Sequence, residues 1–385
     1  SGQSWDAVSI AAAAKSHLAR LRSLAGGAAL RVRDKMPGNV PHLGLIAVLF
    51  SGYFVLEGFD FGVGVLLPFV GKNEAERRTV ISTLGPVWDG NEVWLLTAGG
   101  AMFAAFSLWY ATLFSGFYLA LLLILVALII RGVAFEFRSK KSSKTWRRNW
   151  DWAIFIGSFV PALLWGVAFA NIVAGVPLEL QNGNSEFTGN LFTLLNPYGL
   201  LGGLTTLALF VTHGAVFLAL KTDGEIRVRS NKLAGQVGLA AAVLAVLFGV
   251  WTQLAHSNNT VVSAIILLVV VLAWVGALAA NRLGREGWAF LASAITMVGV
   301  VVFLFACLYP NVMPSSTNPD ATLTIANAMN SQYTLTIMTW VAVIMTPIVL
   351  AYQAWTYWVF RKRLSPSQIP DPEHGSLDLP HEVNA

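Results

Sequence analysis

Nine long apolar runs constrain the fold of this chain more than any other feature of its sequence. Runs of about 20 apolar residues suit α-helices that cross a hydrocarbon core about 30 Å thick. The predicted spans lie at residues 42–70, 80–106, 109–137, 152–176, 197–220, 235–256, 260–281, 287–312 and 333–360. Charged residues make up only 12% of the chain, whereas a soluble globular domain carries about 25%. The sequence therefore predicts an all-α polytopic membrane protein.

Among the loops between the predicted spans and after the last one, only alternate loops carry lysine or arginine. The loops that hold them are 71–79, 138–151, 221–234, 282–286 and 361–364. The opposite loops, at 107–109, 177–196, 257–259 and 313–332, contain neither residue type. Because positively charged loops stay in the cytoplasm, we expect the first span to begin outside and the C-terminus to lie inside. This topology accounts for the net charge of +5 without a nucleic-acid partner.

Two terminal segments differ from the predicted transmembrane domain at 41–363. Residues 1–40 are basic, although the topology places them outside. They read either as an amphipathic helix on the membrane surface or as an artefact that precedes native translation from about Met36. Residues 364–385 are polar and rich in Pro, Asp and Glu, so we expect a disordered cytoplasmic tail.

Ionisable side chains are concentrated in the first three predicted spans. They are Glu57, Asp60, Asp89, Glu92, Arg131 and Glu136. Charged groups at membrane depth cost at least a few kcal/mol and persist mainly where they pair, line a wet cavity or carry protons. Glu57 and Asp60 are three residues apart, as are Asp89 and Glu92, so each pair shares a helix face. By depth, all six groups are predicted to converge in the cytoplasmic half of three helices.

Three functions remain open for this cluster. Arg131 could neutralise one carboxylate, with Glu136 nearby, and merely fix helix packing. Since one arginine cannot neutralise five acids, the surplus carboxyl groups could instead form a proton relay. A binding site for a cationic solute, as in a proton- or cation-coupled transporter, accounts for the same residues. Transporters commonly contain repeated halves, however, and the later spans hold no matching acids.

The sequence offers little to hold a metal or haem. Of six histidines, His42 and His256 stand at the outer ends of predicted spans and only His213 lies in the interior of one, whereas a bis-histidine haem needs two ligands at similar depth. His213 is expected to be a hydrogen-bonded packing residue, and Cys307 a small packing residue. We find no spacing typical of a zinc or copper site. The chain is therefore expected to bind no redox centre by itself.

A set of ordered motifs between about residues 43 and 360 closely resembles subunit II, the smaller subunit, of cytochrome bd-type quinol oxidases. The matching segments are EGFDFGVG (57–64), GPVWDGNEVW (85–94), TAGG (97–100), FEFRSK (135–140), DWAIFIGSF (151–159), NPYGLL (196–201), MPSST (313–317) and MTWVAV (338–343). Glu57 stands where some members of the family carry aspartate, and residues 1–40 have no recognised counterpart.

The resemblance implies a bacterial cell-membrane protein of two four-helix bundles plus one peripheral helix. It implies a complex that oxidises quinol and reduces oxygen to water with protons from the cytoplasm. Haem b and haem d, or b-type variants, would belong to the partner, subunit I. Lipids are further expected partners, and whether a small single-span third subunit binds is left open.

The resemblance also implies roles for single residues. The aspartate that matches Asp89 begins a proton path toward the partner, with Trp88 beside it. Glu57 and Asp60 would lie in the same polar region, and Glu92 is assigned to the same path. An apolar channel past Trp94 is expected to lead oxygen toward the haem site. A helix-packing scaffold without a transport role is the remaining alternative.

Overall fold

The structure, a computed structural model, describes residues 40–369 and Gly375. The predictions for the basic extension, apart from residue 40, and for most of the tail lie outside this range. Twelve α-helices account for most of the described chain: α1 Val40–Val70, α2 Glu74–Leu84, α3 Trp88–Ala105, α4 Ser107–Gly116, α5 Tyr118–Phe137, α6 Lys144–Ala174, α7 Leu191–Leu194, α8 Pro197–Lys221, α9 Gly224–Ala255, α10 Thr260–Arg282, α11 Glu286–Leu308 and α12 Gln332–Val359.

Eight of these helices are long and apolar enough to cross a membrane: α1, α5, α6, α8, α9, α10, α11 and α12. The predicted span 80–106 is instead divided at 85–87 into α2 and α3. Pro86 in this turn lacks the backbone N–H that a continuous helix would need, and Asn73 caps the charged helix α2. The predicted span 109–137 is likewise divided at Phe117 between α4 and α5.

Helix α1 is the centre of the fold. It packs against α3, α6, α8 and α11, and its contact with α8 is close because two glycines meet there. A Cβ atom at Gly62 would lie 2.0 Å from the carbonyl oxygen of Phe210, and one at Gly214 would lie 2.5 Å from Gly62. Small residues allow such backbone contact between membrane helices, where dispersion and close packing replace the hydrophobic effect.

The other long helices pack in a connected series. Helix α5 packs on α6, α6 packs on α8, α8 packs on α9, and α10 packs on both α9 and α11. Helix α12 packs on α3 and is the least buried of the eight long apolar helices. The all-α polytopic membrane fold predicted from the sequence is confirmed.

The two ends of the helix bundle differ in structure. At the end without lysine or arginine, β1 (Leu178–Gln181) pairs antiparallel with β2 (Asn184–Phe187), and β3 (Asn311–Met313) pairs with β4 (Leu323–Thr324). At the other end, which we call the basic end, the backbone N–H of Leu364 donates to Lys221 and its carbonyl accepts from Asp223. A 3₁₀ turn follows at Pro366–Gln368. Residues 364–369 of the predicted tail are therefore ordered.

Candidate functional site

A buried ion pair joins α1 to α5. Arg131 donates through Nη1 to Glu57 Oε1, and neither side chain has any exposed surface. The guanidinium lies over two aromatic rings, 4.9 Å from the centroid of Phe61 and 5.1 Å from that of Phe135. Gly157 of α6 makes room for it, since a Cβ there would lie 2.7 Å from the Arg131 Cβ. Packing and charge together fix this arginine in place.

Asn91 connects Asp60 to helix α12. Its amide nitrogen donates to Asp60 Oδ2 at 2.7 Å. Its amide oxygen accepts from Gln353 Nε2 and from Tyr357 Oη, each at 2.8 Å. The network thus links α1, α3 and α12 at the depth of the acids. Sequence reasoning missed these partners, although Gln353 and Tyr357 are four residues apart and so share a helix face.

Several buried atoms of the cluster lack a hydrogen-bond partner among the described residues. They are Glu57 Oε2, Asp60 Oδ1, and Arg131 Nε and Nη2, and the carboxyl groups of Glu57 and Asp60 also interact with each other. Arg131 also interacts electrostatically with Asp60 and Glu92, so one guanidinium serves three carboxyl groups. Leaving a buried polar group unbonded costs about 1–3 kcal/mol. The cluster therefore has free capacity for water or for a shared proton.

The other predicted acids lie toward the surface. Glu92 is partly buried and interacts electrostatically with both Arg131 and Asp89. Asp89, three residues earlier at the start of α3, is exposed. Glu136 is exposed and forms no ion pair within the described part of the chain. The structure therefore brings four of the six charged groups together, with Asp89 beside them and Glu136 apart.

The two tryptophans beside the acids have different surroundings. Trp88 is partly buried, with its ring 5.4 Å from that of Phe135. Trp94 is buried against α1, where Gly52 leaves room for its indole ring. Trp94 also borders two apolar cavities of about 930 and 500 Å³. The larger lies among α1, α10, α11 and α12, and the smaller lies among α1, α3 and α12.

His213 is held by the chain's own atoms. One ring nitrogen lies 2.7 Å from Ser293 Oγ and the other 3.1 Å from the carbonyl oxygen of Val55. The ring stacks on Phe290 at a centroid distance of 4.7 Å. Both nitrogens are therefore engaged, and residues 40–369 contain no group of three His, Cys, Asp or Glu side chains arranged for a metal. These residues do not fit an axial haem ligand pair.

A second ionic cluster lies at the basic end. Arg138 is fully buried and donates to both carboxylate oxygens of Glu74, at 2.7 and 3.0 Å, and to both of Asp151, at 2.5 and 3.3 Å. Arg77 adds a bond of 2.8 Å to Asp151. Burial raises the pKa of Glu74, but Arg138 and the nearby arginines outweigh burial and hold that pKa below its ordinary value. Sequence reasoning placed these residues in loops and missed the cluster.

The family model described as cytochrome bd terminal oxidase subunit II matches residues 40–360. The chain is 42% identical over 364 residues to "Cytochrome bd-I ubiquinol oxidase subunit 2" of Escherichia coli (strain K12), an alignment that covers 86% of this chain and 96% of the relative. It is 40% identical over 325 residues to "Cytochrome bd ubiquinol oxidase subunit 2" of Bacillus subtilis (strain 168), covering 83% and 95%.

A solved structure shows the same fold. It is described as "The structure of bd oxidase from Geobacillus thermodenitrificans" and matches with a TM-score of 0.66. The match covers 84% of this chain and 98% of the solved chain, at 12% sequence identity. At that identity the likeness speaks for the fold alone.

Proposed function

The chain belongs to the cytochrome bd terminal oxidase subunit II family, and we propose that its acidic cluster conducts protons toward the partner, subunit I. The chain is a multi-pass membrane subunit of a respiratory quinol oxidase. Haem and quinol belong to such a complex, and we assign the haems, b and d or b-type variants, to subunit I. The described residues, which do not fit an axial haem pair, support that assignment.

The observation that carries the proposal is a series of electrostatically interacting carboxyl groups that leads from the surface toward the buried cluster. Asp89 is exposed, and Glu92 follows one helical turn later, about 4.5 Å further along the axis. Glu92 interacts electrostatically with Glu57 and with Asp60. The unbonded oxygens Glu57 Oε2 and Asp60 Oδ1 can accept a proton or a hydrogen bond from water. A relay requires such groups, whereas a fully paired salt-bridge network would have none to spare.

The exposed acid Asp89 on α3 supports a covering partner at this face. If Asp89 faced lipid at membrane depth, its ionised carboxylate would cost a few kcal/mol. Its neighbours Val93 and Leu96 are also exposed, at 49% and 73%. We propose that subunit I covers this face, so that Asp89 lies at the boundary where the proton enters or passes between subunits.

We assign the basic end to the cytoplasm, with the N-terminus outside and the C-terminus inside. The five helix ends that carry lysine or arginine support this orientation through the positive-inside rule. The transmembrane domain then comprises residues 41–363. Labelling with a membrane-impermeant reagent at a cysteine placed at Lys232, with Cys307 replaced by serine, tests the orientation. Labelling from outside intact cells would refute it.

The direct test replaces Asp89 with asparagine in the intact oxidase. A positioned proton-transfer group contributes about 10²–10⁴-fold to a rate. We therefore expect quinol-oxidase turnover to fall at least about tenfold while haem content and subunit assembly stay unchanged. Haem content is read from the reduced-minus-oxidised spectrum, and turnover from oxygen consumption with excess quinol.

Glu225→Gln is the matched control, since Glu225 is an exposed acid at the start of α9 on the same end. It should leave turnover unchanged. Loss of assembly in Asp89→Asn would favour the scaffold role that the Arg131–Glu57 pair also suits. Full turnover would refute the proton path. If the native chain purified without haem absorbance and without a larger subunit, the result would favour a transporter.

We further propose an oxygen route past Trp94. The two apolar cavities that meet at this indole ring support it, because a small apolar gas partitions into such space. Replacing Trp94 with phenylalanine should change the KM for oxygen without changing turnover at saturating oxygen. An unchanged KM would contradict the route.

A further inference from the structure

A polar pocket of about 670 Å³ opens at the basic end, between the end of α1, the start of α2 and the start of α6. Its floor is the second ionic cluster, where Glu74 and Asp151 are bonded by Arg138 and Arg77. This floor is rigid because each carboxylate has guanidinium donors. The pocket is separate from the acidic cluster around Arg131.

Cations dominate the walls of this pocket. Five lining side chains are basic (Lys72, Arg77, Lys144, Arg147, Arg148), and two are acidic, Glu74 and Asp151. Three of the basic side chains, Lys72, Lys144 and Arg148, are exposed. The N-terminus of the 31-residue helix α6 adds its partial positive charge at Lys144. The pocket thus offers several donors to one anionic group.

The surface next to the pocket turns apolar along α6. Lys144, Arg148, Trp152 and Ile156 follow each other at intervals of four residues, so they form one stripe along the helix. Trp152 is 55% exposed and Ile156 52% exposed, and Phe69 at the end of α1 is 54% exposed. Over about 18 Å the stripe passes from two cations to an aromatic ring and then to an aliphatic side chain. A soluble anion would use only the first part of this surface.

We propose that this pocket binds the headgroup phosphate of an anionic phospholipid, whose acyl chains lie along the exposed face of α6 beside Trp152 and Ile156. Basic pockets at the ends of membrane helices suit such headgroups, and tryptophan is favoured at the headgroup level. The stripe favours a lipid over free phosphate, because its apolar half, along α6, is continuous with its charged half. This inference stands independently of the proton path.

The test uses the intact oxidase complex, stripped of lipid in an uncharged detergent and titrated with phosphatidylglycerol. Native mass spectrometry counts the retained lipid. Each basic residue near an anionic headgroup contributes about fivefold to binding. The triple variant Lys72→Ala/Lys144→Ala/Arg148→Ala should therefore bind the lipid about a hundredfold more weakly.

The matched control removes three exposed cations from the same end, Arg282→Ala/Arg285→Ala/Lys362→Ala, and should leave the affinity unchanged. Equal affinities in the two triple variants would overturn the proposal. Equal binding of phosphatidylcholine by the native complex would overturn it too, since that lipid has no net charge. Displacement of the lipid by millimolar inorganic phosphate would point to a soluble anion instead. Because binding is read without turnover, a failed proton path would leave this result unaffected.

Discussion

Replacing Arg131 with methionine tests whether the buried pair with Glu57 is ionised and stabilising. Methionine keeps much of the side-chain volume between Phe61 and Phe135 but removes the charge. Glu57, with no exposed surface, then loses its hydrogen-bonded cation. Removing one partner of a buried ion pair costs about 3–5 kcal/mol, because the remaining charge is uncompensated.

A double-mutant cycle separates the pair from the packing. Arg131→Met and Glu57→Gln should each destabilise the protein by about 3–5 kcal/mol, whereas in the double variant neither member of the pair is left without its partner. We therefore expect a coupling free energy above about 2 kcal/mol. Interhelical hydrogen bonds in a membrane average only about 0.6 kcal/mol, so a coupling of this size identifies an ion pair rather than an ordinary hydrogen bond.

The free energy of unfolding is measured by steric trapping in the purified oxidase complex. Arg282→Met is the control, since that arginine is exposed and its loss should change stability by less than about 0.5 kcal/mol. A coupling near 0.6 kcal/mol, or an Arg131→Met variant as stable as the native protein, would refute the reasoning. The cluster would then be held by packing alone.

Two further predictions concern the α1–α8 contact and the basic end. Gly62→Ala should destabilise the protein by about 1–3 kcal/mol through overpacking, since its Cβ would lie 2.9 Å from the Cα of Gly214. The second concerns pH: Arg138 holds the pKa of Glu74 below its ordinary value of 4.5. The ionised Glu74 therefore stabilises the folded protein fully above pH 4.5. This stabilisation is lost as pH falls through the pKa of Glu74 in the folded protein, which is lower. The thermal midpoint should drop on acidification below about pH 4.5, and less so in Glu74→Gln.

Each of these predictions has a matched control. Gly44→Ala, where no atom lies within 4 Å of the added Cβ, should be neutral or stabilising, and an equal loss at Gly44 and Gly62 would contradict the close-contact argument. For the loss of stability at low pH, Glu225→Gln is the control and should leave the pH dependence of the thermal midpoint as in the native protein. An unchanged dependence in Glu74→Gln would show that other carboxyl groups cause it.

Much of the candidate site was predictable from residue type and spacing. Acids in apolar runs are costly, so Glu57, Asp60 and Arg131 could be recognised without coordinates. Their three-residue spacing placed two of them on one face. The partners of Asn91 from a distant helix were not predictable, because Gln353 and Tyr357 are more than 260 residues away in sequence. The type of a polar side chain does not by itself indicate which residue it will bond.

Local patterns were also misleading where charge and helix geometry compete. The run 80–106 was long enough to span a membrane, yet Pro86 and the charges of α2 divide it. Arg138 and Asp151 looked like loop charges but are buried, because their mutual bonds replace those to water. Asp89 and Glu136 matched the cluster by depth, yet both are exposed, since the rotation of each helix depends on what it packs against.

The sequence by itself determined the membrane class, the all-α fold, the family and three of the buried charged residues, Glu57, Asp60 and Arg131. These follow from composition, from the length of apolar runs and from ordered motifs, all of which are local along the chain. Only the tertiary structure decided which carboxylate takes Arg131, which atoms stay unbonded and where the cations gather into a pocket. Those outcomes depend on contacts between helices far apart in sequence, where packing volume and the cost of an unpaired buried charge select one arrangement.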